Sequence, residues 1–191
     1  MPVSARNIAL AALPLLVLAA CNREPAEPAE ANQTATPSDA SPSAIATLTR
    51  SDGAPAGSAT LEEMPNGLSV TIAAIGLPPG VHGVHLHAIG KCDGPKFESA
   101  GPHWNPTSRK HGRDNPEGLH LGDLTNIGIG ADGSGHSIFS IGASRLTEGP
   151  NALLDDDGAS LVVHAKADDY KTDPSGNSGD RIACGVISAP Q

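Results

Sequence analysis

Aromatic residues are nearly missing from this 191-residue chain. It holds two Phe, one Trp and one Tyr, so Phe97, Trp104, Phe139 and Tyr170 cannot fill a core, and Val, Ile, Leu and Ala must do so. Basic residues are also few. Twelve Lys and Arg face 21 Asp and Glu, a formal net charge of -9, which excludes the basic face that binds nucleic acid. Long apolar runs are absent. The stretch from Ile8 to Leu18 falls short of the roughly 20 residues needed to cross a bilayer. Cysteine occurs only three times. Gly at 22 and Pro at 17 are plentiful by contrast, and they predict many turns.

The chain begins with a targeting pattern. Arg6 is the only charge in residues 1–21, and a short apolar stretch follows it, which is the form of a signal peptide. The stretch ends Leu18-Ala19-Ala20-Cys21, which resembles the cleavage pattern of bacterial lipoproteins. That resemblance implies that Cys21 is lipidated and becomes the first mature residue. It also implies that the protein is exported to the bacterial periplasm or cell envelope, anchored to the membrane through Cys21. Residues 22–43 are rich in Pro, Ala, Glu, Ser and Thr and read as a disordered tether. The globular domain is expected over 44–191. Setting Cys21 aside leaves Cys92 and Cys184, an even pair in an exported protein and the natural disulfide. The loop it closes is long, and the chain-entropy model allows on the order of 4–5 kcal/mol.

From Ala44 onward the texture is that of β-strands. Ile45 to Thr49 forms a first strand. Gly57 to Glu63 and Leu68 to Ile75 flank Pro65-Asn66-Gly67, a hairpin signal. Val81 to Ile89 is a strand, and Asp123 to Ile129 pairs with His136 to Ile141 around Asp132-Gly133. Leu161 to His164 and Ile182 to Ile187 complete the set. Eight short strands with almost no helix predict an all-β sandwich or barrel. Two segments resist assignment. Residues 90–119 are rich in Gly, Pro and charge, and a 30-residue loop without structure of its own suggests function. A second polar loop covers 168–180.

The histidines supply a reason for those loops. In a strand, residues two apart point to one face, so His85 and His87 project together while Val84 and Leu86 turn inward. His164 ends another apolar strand. Imidazole nitrogens suit copper, which heads the divalent affinity series. His103, His111, His120 and Asp123 lie in and beside the first loop. Three imidazoles and one carboxylate suit a closed, structural, tetrahedral zinc site. His82 reads as structural and His136 as solvated.

Five motifs now carry a family resemblance. They are Gly83-Val84-His85-Leu86-His87, Ala100-Gly101-Pro102-His103-Trp104-Asn105-Pro106, His120-Leu121-Gly122-Asp123-Leu124, Leu161 through Asp169, and Gly179 through Ile187. In this order they resemble copper/zinc superoxide dismutase, from about residue 45 to 188. The resemblance implies an eight-stranded Greek-key β-sandwich or flattened barrel with two long functional loops. It implies copper on His85, His87, His103 and His164, and zinc on His103, His111, His120 and Asp123. His103 would bridge the metals as an imidazolate and carry a proton during turnover. Asp168 would hold the free nitrogens of His85 and His111, and Arg181 would guide the anion at the copper mouth. The implied reaction is dismutation of superoxide to oxygen and hydrogen peroxide, with Cu(2+)/Cu(+) and Zn(2+) as cofactors. The short second loop is similar to bacterial members and leaves Lys171 as a further steering candidate. Homodimers are frequent in the family, so a second copy is a partner to test for. The competing reading is a copper/zinc metallochaperone or metal-store lipoprotein without turnover. A family relative of that kind typically lacks a copper ligand or the arginine, and this chain has them all.

Overall fold

The computed structural model describes residues 41–189. The leader, Cys21 and nearly all of the tether lie outside the described residues. Nine strands follow in order: β1 Ser43–Arg50, β2 Pro55–Met64, β3 Gly67–Ala74, β4 Gly80–His82, β5 Val84–His87, β6 Ile127–Ile129, β7 Gly135–Gly142, β8 Ala159–His164 and β9 Arg181–Ser188. The only helical element among the described residues is a short 3-10 turn, Glu98–Ala100. Every strand pairing is antiparallel. Seven strands form one sheet in the order β5-β8-β9-β1-β2-β3-β7, and β4 pairs with β6 in a second sheet.

Period-two alternation makes the core. Ala44, Ala46 and Leu48 of β1, Leu61 of β2, and Leu68, Val70 and Ile72 of β3 turn inward and are buried, as alternate residues on one face must. Leu86, Leu161, Val163 and Ile127 join them, with Leu146 and Leu153 from the segment before β8. The strand predicted as Val81 to Ile89 is two. It breaks at Gly83, and its halves enter different sheets. Counted as one continuous run, the total is the predicted eight.

The predicted hairpin between 123–129 and 136–141 needs correction. The turn exists, with Gly130 accepting from Gly133 N–H at 3.0 Å and donating to Ser134 O at 2.8 Å. Its arms, however, do not pair with each other. β6 pairs with β4 and β7 pairs with β3. Residues 123–126 are not strand, because their polar groups are drawn to the histidine cluster and to the second loop.

β8 is buried at all six positions. One face meets the main core. The other is covered by Phe97, Ala100 and Cys92 of the first long loop, which pack with Val162 and Cys184. The disulfide Cys92–Cys184 spans 92 residues with its Cα atoms 5.7 Å apart, and ties this loop to β9. Arg181 adds two ties, donating from Nη1 to Phe97 O at 2.6 Å and from Nη2 to Gly101 O at 2.7 Å.

Leu161→Ala, at a position with no exposure, is expected to cost on the order of 2–5 kcal/mol. Val81→Ser, at an exposed site, should stay within about 0.5 kcal/mol. Denaturant midpoints at unchanged slope check both.

Candidate metal centre

Register places the first ligands. His85 sits opposite Val162 and His87 opposite Ser160, so both rings share the outer face of β8 with His164. The first loop returns over this face, and Trp104 N–H donates to Leu86 O at 2.8 Å. His103 thereby lands between the strand histidines and the loop histidines. The ring centroids of His85 and His103 are 4.0 Å apart.

On one side four imidazoles converge. His85, His87, His103 and His164 are buried and bring one nitrogen each within 4.8 Å of the others. Their other nitrogens are engaged. His85 Nε2 donates to Asp168 Oδ2 at 2.8 Å, His87 Nδ1 to Gly101 O at 2.9 Å and His164 Nδ1 to Gly179 O at 3.2 Å. A neutral ring that donates at one nitrogen presents a lone pair at the other. Six buried side-chain polar atoms lack a partner among the described residues, and His85 Nδ1, His87 Nε2, His103 Nε2 and His164 Nε2 are four of them. Buried polar atoms are ordinarily satisfied, so four lone pairs facing one point form a site that fits a nitrogen-loving cation.

On the other side lies a tighter group. Asp123 Oδ1 is 2.9 Å from His103 Nδ1, 3.0 Å from His111 Nδ1 and 3.1 Å from His120 Nδ1. His120 Nδ1 is 3.4 Å from His103 Nδ1. A tetrahedral zinc ion with bonds near 2.0 Å sets its ligand atoms about 3.3 Å apart, and these four separations, 2.9 to 3.4 Å, lie close to that spacing. Asp123 Oδ2 accepts from the N–H groups of Gly112 at 2.9 Å and His120 at 3.0 Å, which fixes the carboxylate. Asp168 joins the two groups. Its Oδ1 accepts from His111 Nε2 at 3.0 Å while Oδ2 holds His85. Gly176 makes room, since a Cβ there would overlap Asp168 Oδ1.

The electrostatics differ between the sides. Burial pushes His87 well below the ordinary imidazole value, takes His164 down to about 3, and takes His103 to about 4 against the pull of Asp123. These rings are neutral near pH 7, ready to ligate. His111 behaves oppositely. Burial lowers it, but its bonds to Asp123 and Asp168 outweigh burial and raise it to about 9. Burial would raise Asp123 and Asp168, yet the histidines bonded to each hold both far below the usual carboxylate range.

Three of the four converging imidazoles, His87, His103 and His164, open on a cleft of about 1290 Å³ whose walls also include Trp104, Arg109 and Arg181. Trp104 is buried and forms part of the cleft wall. Lys171, the steering candidate from sequence, is not among the lining residues. Arg109 and Lys110 of the first loop are, and Lys110 Nζ lies 3.4 Å from Asp173 Oδ2. His82 is buried, its ring nitrogens 2.8 Å from the carbonyls of His164 and Pro78, so it braces the end of β8. His136 is exposed on β7. Sequence reasoning missed Asn126 and Tyr170. Asn126 grips the backbone of Asp168, with Nδ2 to Asp168 O at 2.9 Å and Asp168 N to Oδ1 at 2.8 Å. A lone Asn carries no signal for such a role. The one Tyr of the chain, two residues beyond Asp168, carried a faint one.

Residues 55–187 match the family model for copper/zinc superoxide dismutase. Superoxide dismutase-like protein YojM of Bacillus subtilis is 44% identical over 128 residues, 66% of this chain, and the aligned region spans 65% of that protein's length. A copper-zinc superoxide dismutase of Caulobacter vibrioides is 44% identical over 128 residues, covering 65% of this chain and 74% of its own. The crystal structure of a double mutant of a SOD-like protein from Bacillus subtilis superposes with a TM-score of 0.72 at 43% identity, covering 74% of this chain and 95% of that one.

If zinc is held by His111, whose bonds to Asp123 and Asp168 raise it to about 9 without metal, the ion must displace a proton there. Zinc uptake at pH 7 is therefore expected to release about one proton, with affinity rising about tenfold per pH unit until roughly pH 9. Calorimetry in buffers of differing ionisation enthalpy measures the release. Zinc binding independent of pH between 6 and 8 would contradict it.

Proposed function

The chain belongs to the copper/zinc superoxide dismutase family, and from that premise we propose that it disproportionates superoxide, two superoxide ions and two protons giving one dioxygen and one hydrogen peroxide. The observation that carries this reading is the quartet of partnerless imidazole nitrogens, three of whose rings line a cleft with a guanidinium in its wall. His85 Nδ1, His87 Nε2, His103 Nε2 and His164 Nε2 would hold copper. His103 Nδ1, His111 Nδ1, His120 Nδ1 and Asp123 Oδ1 would hold zinc. Bound copper supplies a one-electron redox couple, and bound zinc supplies a fixed positive charge that closes the loop site.

The remaining work belongs to side chains. His103 presents one nitrogen to each group of ligands, and with both cations bound neither nitrogen would keep a proton. Its Nε2 faces the cleft side, so this is the atom that would take up one proton and pass it to the reduced superoxide, the second proton coming from solvent in the cleft, to give hydrogen peroxide. Asp168, Gly101 O and Gly179 O hold His85, His87 and His164 in the tautomers that ligation needs. Arg181 is restrained by Phe97 O and Gly101 O, and it presents a fixed cation to a small anion. The domain beyond Ser43 carries 10 basic and 17 acidic residues, so attraction must be local, and a focused positive mouth can raise on-rates about 10–10³-fold. Both ligand sets are complete within one copy, so pairing with a second copy is not needed to build a site.

The disulfide fits an exported protein. Together with the Leu18-Ala19-Ala20-Cys21 pattern it supports a lipid-anchored envelope enzyme. Cys21→Ser should abolish acylation and move the domain from the membrane to the soluble fraction. Acyl chains on the variant, or a wild-type mature protein starting elsewhere than Cys21, would refute the anchor. Mass spectrometry of the fractions decides.

Superoxide consumption by copper- and zinc-loaded protein tests the activity itself, and a fully loaded protein without turnover would make it a metal store. Arg181→Ala should keep both metals and slow turnover about tenfold, and Arg181→Glu should slow it further. The gap between the variants should narrow as salt rises, since the Debye length falls from about 10 Å at 0.1 M to about 3 Å at 1 M. Wild-type rates for Arg181→Glu at low salt would remove Arg181 as the anion guide.

A further inference from the structure

Tyr170 occupies an unusual position for a bulky residue. Its backbone is left-handed, at φ 61°, a conformation that costs a non-glycine residue about 1 kcal/mol or more. Such a conformation persists where surroundings over-determine it, and here they do. The Tyr170 hydroxyl accepts from Asn126 N–H at 2.8 Å. Its own N–H donates to Asp168 Oδ1 at 2.6 Å. Its carbonyl accepts from Asp114 N–H at 2.9 Å. The guanidinium carbon of Arg113 lies 3.8 Å from its ring centroid, within cation–π range. Gly112 must be glycine beneath it, since φ there is 95° and a Cβ would overlap the Tyr170 carbonyl.

These contacts enclose one group. Asn126 grips the backbone of Asp168 from one side, and its own N–H is capped by the Tyr170 hydroxyl. Tyr170 N–H and His111 Nε2 share Asp168 Oδ1. The second loop is thus fastened to the 111–114 segment through Tyr170, and the fastening ends on the carboxylate that orients His85 and His111. We propose that Tyr170 is a positioning residue, which holds Asp168 between His85 and His111 and thereby sets how firmly zinc is retained. The inference rests on the zinc assignment above. It adds a residue that binds no metal and lies outside the cleft wall. Arg113 acts through it, by covering the ring.

The test uses the full-length chain loaded with copper and zinc. Its readouts are the rate of zinc transfer to a chelator and the electron paramagnetic resonance spectrum of the copper. Loss of a metal ligand's hydrogen-bond partner typically costs 10–100-fold in affinity, and Tyr170 acts one step further out. Tyr170→Phe, which removes only the hydroxyl, should speed zinc release about three- to tenfold. Arg113→Ala, at an exposed side chain, should act in the same direction and less. Both should move the copper spectrum toward that of Asp168→Ala, because His85 reports on Asp168. The deciding measurement is a double-mutant cycle. In an Asp168→Ala background, Tyr170→Phe should add nothing. Wild-type release rates for Tyr170→Phe, or the same acceleration in both backgrounds, would overturn the role. A wild-type chain that takes up no zinc would instead overturn the zinc assignment and the inference with it.

Discussion

A single buried carboxylate holds the centre together. Asp168 has no side-chain exposure, and an isolated anion in such a place would be very costly. It stays ionised because it accepts from His85, His111 and the Tyr170 amide at once. The dependence runs both ways. Each of the two rings spends one nitrogen on Asp168 and so turns its other nitrogen inward, His85 Nδ1 toward the partnerless imidazoles and His111 Nδ1 toward Asp123. One ring belongs to a rigid strand and the other to a long loop. The loop's position is therefore referred to the strand through a few ångströms of hydrogen bonding rather than through its own, weak, local preferences.

The sheet supplies the fixed half of this arrangement. β8 lies between β5 and β9, so His85, His87 and His164 come from neighbouring strands whose spacing is set by backbone ladders. The loop half, residues 88–126, is returned to that face at several points: the disulfide, the two Arg181 bonds and the backbone bridge from Trp104 to Leu86. Such ties matter because the loop has little apolar area to bury. Phe97 and Ala100 pack on one side of β8, and Trp104 and Leu124 reach the main core. The polar density that makes the segment look structureless in sequence is the same density that makes the ligand cage.

Much of the site was readable beforehand for a physical reason. A two-residue spacing has one meaning in a strand, so His85 and His87 could be placed together without coordinates. The loop histidines and Asp123 were readable because no other purpose explained so many titratable groups in a segment without periodicity. The break at Gly83 was not readable, since an apolar run does not announce a change of sheet. The partnering of β6 and β7 failed for a related reason. A turn is a local event and was found, whereas the choice of ladder partner is made by distant strands. Asn126 escaped because it works through backbone atoms of another loop, and Lys171 was favoured only by its place in the sequence. Besides Arg181, the cleft's cations come from the first loop, where Arg109 is held by an Asn105 side chain that both accepts from its amide and donates to its carbonyl.

Trp104 follows His103 directly and is buried with Leu86 and Leu124 in the main core, yet it also forms part of the cleft wall. It is the only tryptophan in the chain. The tryptophan fluorescence of the whole protein therefore comes from one indole beside the His103 imidazole. Unfolding would expose that indole and shift its emission to the red, whereas a paramagnetic ion on the neighbouring imidazole would dim it without a shift. Position and intensity of one band would thus separate the state of the fold from the state of the centre, with no label attached.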